Sequence, residues 1–275
     1  MKTVSSTVGE LVGLIPAAGV ARRVSPLPGS TELFPIGFQE SEVDGHVQLH
    51  PKVVSQYLLD NMFQAGARKV WIVLGRGKWD IMHYYGDGSD FGGQIAYLLM
   101  DKPWGMPYTL DQAWPWLNQD TVLFGMPDTI FTPPDAFKRM LARHVETGAD
   151  VTLGVFPTQQ PQRFCPVELD DQGRVLSMTD KPSHTEVMNT WGCACWSPRF
   201  TGFMHNFLSS IAHPQAEWSP GAQSERVKEV VLASVFKAAI ANGLEMQSVF
   251  FQEGEYIDVG TPDDLVIAVQ RFSGR

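Results

Sequence analysis

The feature that most restricts this chain is an alternation, sustained along its length, of short apolar runs with segments of helical spacing. Residues 11–16 (LVGLIP), 70–74 (VWIVL), 95–99, 122–124 and 151–156 have the length and apolar content of buried strands. Between them, Val53, Val54, Tyr57, Leu58 and Met62 recur at helical intervals over 52–65, with Gly66 as a stop. Residues 80–85, closed by Gly86, and the stretches 109–117 and 134–146 predict further helices. Strands alternating with helices cover both faces of a largely parallel sheet, which makes the fold class α/β. Beyond about residue 157 the texture changes. Residues 164–169 and 174–178 flank Asp170-Asp171-Gln172-Gly173 and predict a hairpin. A short strand over 191–196, a long helix over 225–242, a strand over 245–251 and a closing helix over 262–272 follow. No low-complexity linker or internal repeat divides the chain. The reading is one domain over 1–275, doubly wound in its first half and more irregular in its second.

Composition excludes several classes of function. The 275 residues suffice for a full core, and a formal charge of −9 without a basic tract argues against binding a nucleic-acid backbone. No run of ~18 apolar residues is present to span a membrane. Residues 1–11 lack the charge-then-apolar order of a secretory signal, and three cysteines suit a reducing cytoplasm. Cys193 and Cys195 alternate on a predicted strand, so both point to one face as small core residues. The histidines show no metal-ligand spacing, and neither a nucleophile elbow nor a complete P-loop occurs. Trp114-Pro115-Trp116 and the 213–221 segment are candidate contacts for a homo-oligomer.

The first strand runs into Ala17-Ala18-Gly19-Val20-Ala21-Arg22-Arg23. Small residues there let backbone N–H groups approach a phosphate or base, and arginines just beyond can clamp phosphate oxygens. Together with the residues that follow, 14–36 (LIPAAGVARRVSPLPGSTELFPI) resembles the opening signature of the sugar-1-phosphate nucleotidylyltransferases, such as the glucose-1-phosphate thymidylyltransferases and uridylyltransferases. The resemblance continues in order through 70–77, Tyr85-Gly86-Asp87-Gly88-Ser89, Pro127-Asp128-Thr129, Asp180-Lys181-Pro182 and 256–262 (YIDVGTP).

That resemblance implies a Rossmann-like nucleotide-diphospho-sugar transferase fold, with a nucleotide-binding half over about 1–157 and a sugar-phosphate-binding half over about 158–275. It implies an enzyme that joins a nucleoside triphosphate to a sugar-1-phosphate, releasing pyrophosphate. Two polyanions must meet in an acidic protein, and Mg²⁺ held by carboxylates answers the repulsion. The matching metal ligands are Asp128 and Asp258. Arg23 and Lys181, with Asp128, carry the catalytic roles. Ala17, Ala18, Gly19, Arg22, Met100 and Gly105 fall at nucleotide-binding positions, and Cys165, Asp180 and Trp191 at sugar-phosphate-binding ones. Without the resemblance, Asp128 reads rather as a turn former or helix N-cap, Asp258 as a turn residue before Val-Gly-Thr-Pro, and Lys181 as a solvated turn residue.

The chain also departs from the family pattern. Ala21 replaces a loop glycine, Thr31 stands where a phosphate-facing lysine is expected, and Met100 replaces a base-reading glutamine. Pro107 replaces a small residue, Cys165-Pro166 a sugar-contacting glycine, and Asp180 a glutamate. A lost charge-assisted phosphate contact costs on the order of 2–4 kcal/mol in the transition state. Two readings therefore stand. Either Arg22 or another cation takes the lysine's place in an active enzyme, or the fold serves as a weakly active or non-catalytic nucleotide-sugar binder with a sensing or structural role.

Overall fold

The computed structural model describes residues 9–19, 29–43, 45–101, 104–211 and 230–272. Its centre is a seven-stranded sheet of β1 (Leu11–Ala17), β4 (Lys69–Gly75), β5 (Gln94–Met100), β6 (Thr121–Gly125), β8 (Val151–Pro157), β11 (Asn189–Trp196) and β12 (Met246–Phe250). The order across the sheet is β12-β8-β11-β6-β1-β4-β5. β4 and β6 flank β1 in parallel, β5 continues parallel to β4, and β12 is parallel to β8. β11 alone runs antiparallel, wedged between β6 and β8. Three small ribbons complete the strands: β2 (Pro35–Val43) with β3 (His46–Val53), β7 (Thr129–Phe131) with β13 (Tyr256–Asp258), and β9 (Val167–Leu169) with β10 (Val175–Met178).

Helices α1 (Val54–Gln64), α2 (Trp79–Tyr85), α3 (Met106–Asp111), α4 (Trp114–Leu117), α5 (Ala136–Thr147), α6 (Pro198–Ser210), α7 (Leu232–Ala241) and α8 (Pro262–Phe272) cover the sheet and its ribbons. Alternation along β1 sends Val12 and Leu14 into one core with Phe124, Trp196, Phe200 and Phe236. Ile15 goes to the opposite core with Leu58, Met62, Ile72, Phe137 and Phe156. Burying such side chains contributes about 1.5–3 kcal/mol each, which holds both helical layers against the sheet. Cys193 and Cys195 both lie in the second core, on one face of β11 as their spacing requires. α5 shows why sequence spacing works: Phe137, Met140 and His144 form its buried stripe, and Gly148 closes it at φ 63°.

Some elements differ from expectation. The segment 109–117 forms two short helices, α3 and α4, rather than one. The helix expected over 225–242 begins only at Leu232 among the described residues; Val231 is extended, as befits a β-branched residue at a helix entrance. α6 and the β2–β3 hairpin were not anticipated. The hairpin carries exposed apolar residues (Phe38, Val47 and Leu49), so its pattern gives no clean buried face. Arg22, Arg23, Ala21 and the 213–221 segment lie outside the described residues. No helix among the described residues is long and apolar enough to cross a membrane.

Candidate functional site

In the sheet order, the chain steps outward from β1 through β4 to β5, then returns to the other side of β1 as β6. Crevices form where strand order reverses in this way, beyond the carboxyl ends of the strands. A cleft of about 550 Å³ opens there. Pro16, Ala18 and Gly19 from the end of β1 and Met126, Pro127 and Asp128 from the end of β6 line it. The loop after β1 lies tight against β4: a Cβ on Gly75 would sit 2.5 Å from the Ala18 carbonyl oxygen. Gly105 lines the same cleft at φ 122°, a backbone conformation that side chains resist.

The two aspartates, remote in sequence, reach this cleft together. β13 pairs antiparallel with β7, setting Asp258 opposite Thr129, and the Val259 N–H donates to the Asp128 carbonyl at 2.8 Å. Both residues line the cleft. Tyr256 registers them electrostatically: burial pushes its phenol well above the ordinary value, and the negative charges of Asp258 and Asp128 push it further. No group of three or more His, Cys, Asp or Glu side chains suited to a metal occurs among the described residues. Two carboxylates nonetheless suit Mg²⁺, which keeps several waters and takes its remaining ligands from substrate phosphates.

The opposite wall comes from the second half. Phe164, Cys165, Asp180, Lys181, Thr190 and Trp191 line it, with Val230–Ala233 extending an apolar flank. Lys181 is the one non-glycine residue with positive φ among those described, at 45°. Its N–H donates to the Phe164 carbonyl at 2.7 Å, which pins a backbone conformation costing about 1–3 kcal/mol. Burial pushes the Cys165 thiol up to about 11, so it stays protonated at neutral pH. Arg163 enters the cleft wall bound to Asp264 through Nη1 at 3.1 Å and Nη2 at 2.6 Å.

The structure therefore gathers Ala18, Gly19, Gly105, Asp128, Cys165, Asp180, Lys181, Trp191 and Asp258 around one space. Two expected nucleotide-side residues face elsewhere. Ala17 packs into the second core. Met100 is buried in the first, its sulfur accepting the Thr109 hydroxyl at 3.1 Å, and Thr109 rather than Met100 lines the cleft. Arg22 and Arg23 lie outside the described residues. Sequence reading missed Lys78 and Arg163, which lie outside the matched motifs, and gave no role to Glu32 and Tyr256, which lie within them.

Comparison with known proteins follows the same lines. Residues 13–273 match the nucleotidyl transferase family. The low-salt glycan biosynthesis nucleotidyltransferase Agl11 of Haloferax volcanii is 22% identical over 262 residues, covering 94% of this chain and 65% of that protein. A glucose-1-phosphate thymidylyltransferase of Streptomyces antibioticus is 25% identical over 78% of this chain and 56% of its own length. One from Mycolicibacterium smegmatis is 26% identical over 93% of this chain and 80% of its own. This chain thus spans less than two thirds of the first two relatives. Among solved structures, a UDP-glucose pyrophosphorylase complexed with UDP-glucose superposes with a TM-score of 0.73 at 17% identity, covering 95% of this chain and 98% of that one. A Bacillus anthracis structure solved with sucrose, under the provisional name glucose-1-phosphate thymidylyltransferase, gives 0.75 at 16%, covering 95% and 94%. These structures share the fold, and the sequence match across nearly the whole chain places it in the nucleotidyl transferase family.

Proposed function

We propose that the protein transfers a nucleotidyl group from a nucleoside triphosphate to a sugar-1-phosphate. One observation carries the reading: Asp128 and Asp258 line the same cleft, at the strand-order reversal, that Lys181 and Asp180 line from the other half. The relatives named as thymidylyltransferases support the substrate class. In the reaction, a phosphate oxygen of the sugar-1-phosphate attacks the α-phosphorus. The bond to the β-phosphate's bridging oxygen breaks, and pyrophosphate leaves with the electron pair. Catalysis of this kind is largely positioning and charge neutralisation.

Lys181 holds the sugar phosphate, and Asp180 accepts from sugar hydroxyls. The Ala18-Gly19 backbone and Gly105 border the nucleotide, while Arg23, with Arg22, meets its phosphates. The half before about residue 157 serves the nucleotide and the half after it the sugar phosphate, within one domain. Asp128 and Asp258 would hold Mg²⁺, which when bound neutralises phosphate charge. The absence of a membrane-spanning helix among the described residues fits a cytoplasmic enzyme.

The test is pyrophosphate release over a panel of nucleoside triphosphates and hexose-1-phosphates. Turnover abolished by Asp128→Asn supports the reading. Silence across the panel, with ligand binding retained, favours the sensing or structural role instead.

A further inference from the structure

We propose that Lys78 is a phosphate-facing cation of this cleft, supplied from the β4–α2 turn where Thr31 leaves none, and that Glu32 tempers it. The proposal rests on the nucleotidyl-transfer reading for its place in the reaction. Its own content, a bound oligophosphate, is testable without turnover.

Thr31 and Glu32 open the single 3₁₀ turn Thr31–Leu33 and line the cleft beside Lys78. Each is only 6% exposed. The Thr31 hydroxyl and the Glu32 Oε2 have no hydrogen-bond partner among the described residues. Buried oxygens without partners are uncommon and cost about 1–3 kcal/mol each. The Thr31 hydroxyl can donate to a phosphate oxygen, whereas Glu32 Oε2 only accepts and answers to the Lys78 ammonium rather than to an anion.

Lys78 Nζ donates to Glu32 Oε1, with both side chains largely buried. An ammonium carries three N–H donors. With one on Glu32, the others can be offered to phosphate oxygens. The ammonium is also held in place before any ligand arrives. Asp80, two residues on, accepts the Ser30 N–H at 2.6 Å and the Ser30 hydroxyl at 2.7 Å. Residues 30–32 and 78–80 are thus tied twice, and the Ser55 hydroxyl fixes the turn from behind through the Glu32 carbonyl at 2.7 Å. Such preorganisation reduces the ordering entropy lost on binding. Glu32 competes with phosphate for Lys78, so neutralising it should strengthen the cation's hold.

The experiment measures binding of inorganic tripolyphosphate by calorimetry, and in parallel the KM for the nucleoside triphosphate. Lys78→Met should weaken tripolyphosphate binding at least tenfold. Glu32→Gln should tighten it severalfold, an effect opposite in sign that a purely structural ion pair would not give. Thr31→Lys added to Lys78→Met should restore most of the loss. Lys138→Met, on the exposed side of α5, should change nothing. If Lys78→Met does not fold, Glu32→Gln/Lys78→Met removes both charges together and must bind more weakly than Glu32→Gln alone. Unchanged binding in the Lys78 variants, no tripolyphosphate binding by the wild-type protein, or equal weakening by Glu32→Gln and Lys78→Met overturns the proposal. A panel silent in pyrophosphate release, with Lys78-dependent tripolyphosphate binding intact, overturns the transfer reading and leaves this one standing.

Discussion

The Val259 N–H donates to the Asp128 carbonyl at 2.8 Å, extending the β7–β13 ribbon by one bond past Asp258. That bond ties the backbone of the two proposed metal-binding turns together, so neither carboxylate depends on a mobile side chain alone to reach the cleft. Replacing one carboxylate by its amide keeps shape and removes charge. Asp258→Asn should lower turnover about a hundredfold or more, equivalent to about 3 kcal/mol, with a melting temperature near that of the wild type. Pyrophosphate-release kinetics at saturating Mg²⁺, alongside thermal melts, make the measurement.

The close passage of the β1 loop over Gly75 leaves no room for a methyl group. The nearest atom is a backbone carbonyl, which cannot swing aside as a side chain would. Gly75→Ala should cost about 1–3 kcal/mol of stability by overpacking and weaken nucleotide binding by displacing Ala18 and Gly19. Denaturant midpoints and nucleotide titrations would show both losses, whereas an unchanged midpoint would contradict the crowding.

His144, buried near the end of α5 with Nδ1 3.1 Å from the Thr152 hydroxyl, has its pKa lowered by burial, against a smaller opposing effect of Asp150. A base whose folded pKa is lowered binds fewer protons folded than unfolded. Stability therefore falls as pH drops below the unfolded histidine value of about 6.5, until the folded value is passed. The melting temperature should decline over that interval, and His144→Gln should flatten the decline there. An identical slope in the variant would show that other groups govern it.

All three cysteines are free and buried. Burial raises each thiol, Cys165 to about 11 and Cys195 to about 12. Thiolate, not thiol, is the reactive form, so Ellman's reagent at pH 8 should find essentially no reactive thiol in the native protein and three after unfolding. A rapidly labelled native cysteine would show that the cleft wall around Cys165 opens.

The strands and their alternating helices were legible from spacing because local period alone reports which face is apolar. The closing helix Pro262–Phe272 and the hairpin about Asp170–Gly173 show this best, their signals lying within a few consecutive residues. Motif order named the aspartates, the lysine at 181 and the opening loop. What the sequence could not place was anything arising from contact across the chain. Thr109 lines the cleft in place of Met100, which is packed into the first core with its sulfur accepting the Thr109 hydroxyl. Lys78 meets Glu32 where the 30–32 and 78–80 segments, remote in sequence, are also joined by Asp80 and Ser30. Asp128 and Asp258 become neighbours only through the β7–β13 register. Local composition determines the elements, since backbone propensity and face polarity act over one or two turns. Convergence of charged groups belongs to the tertiary structure, because it depends on loop closures and strand pairings between residues far apart along the chain.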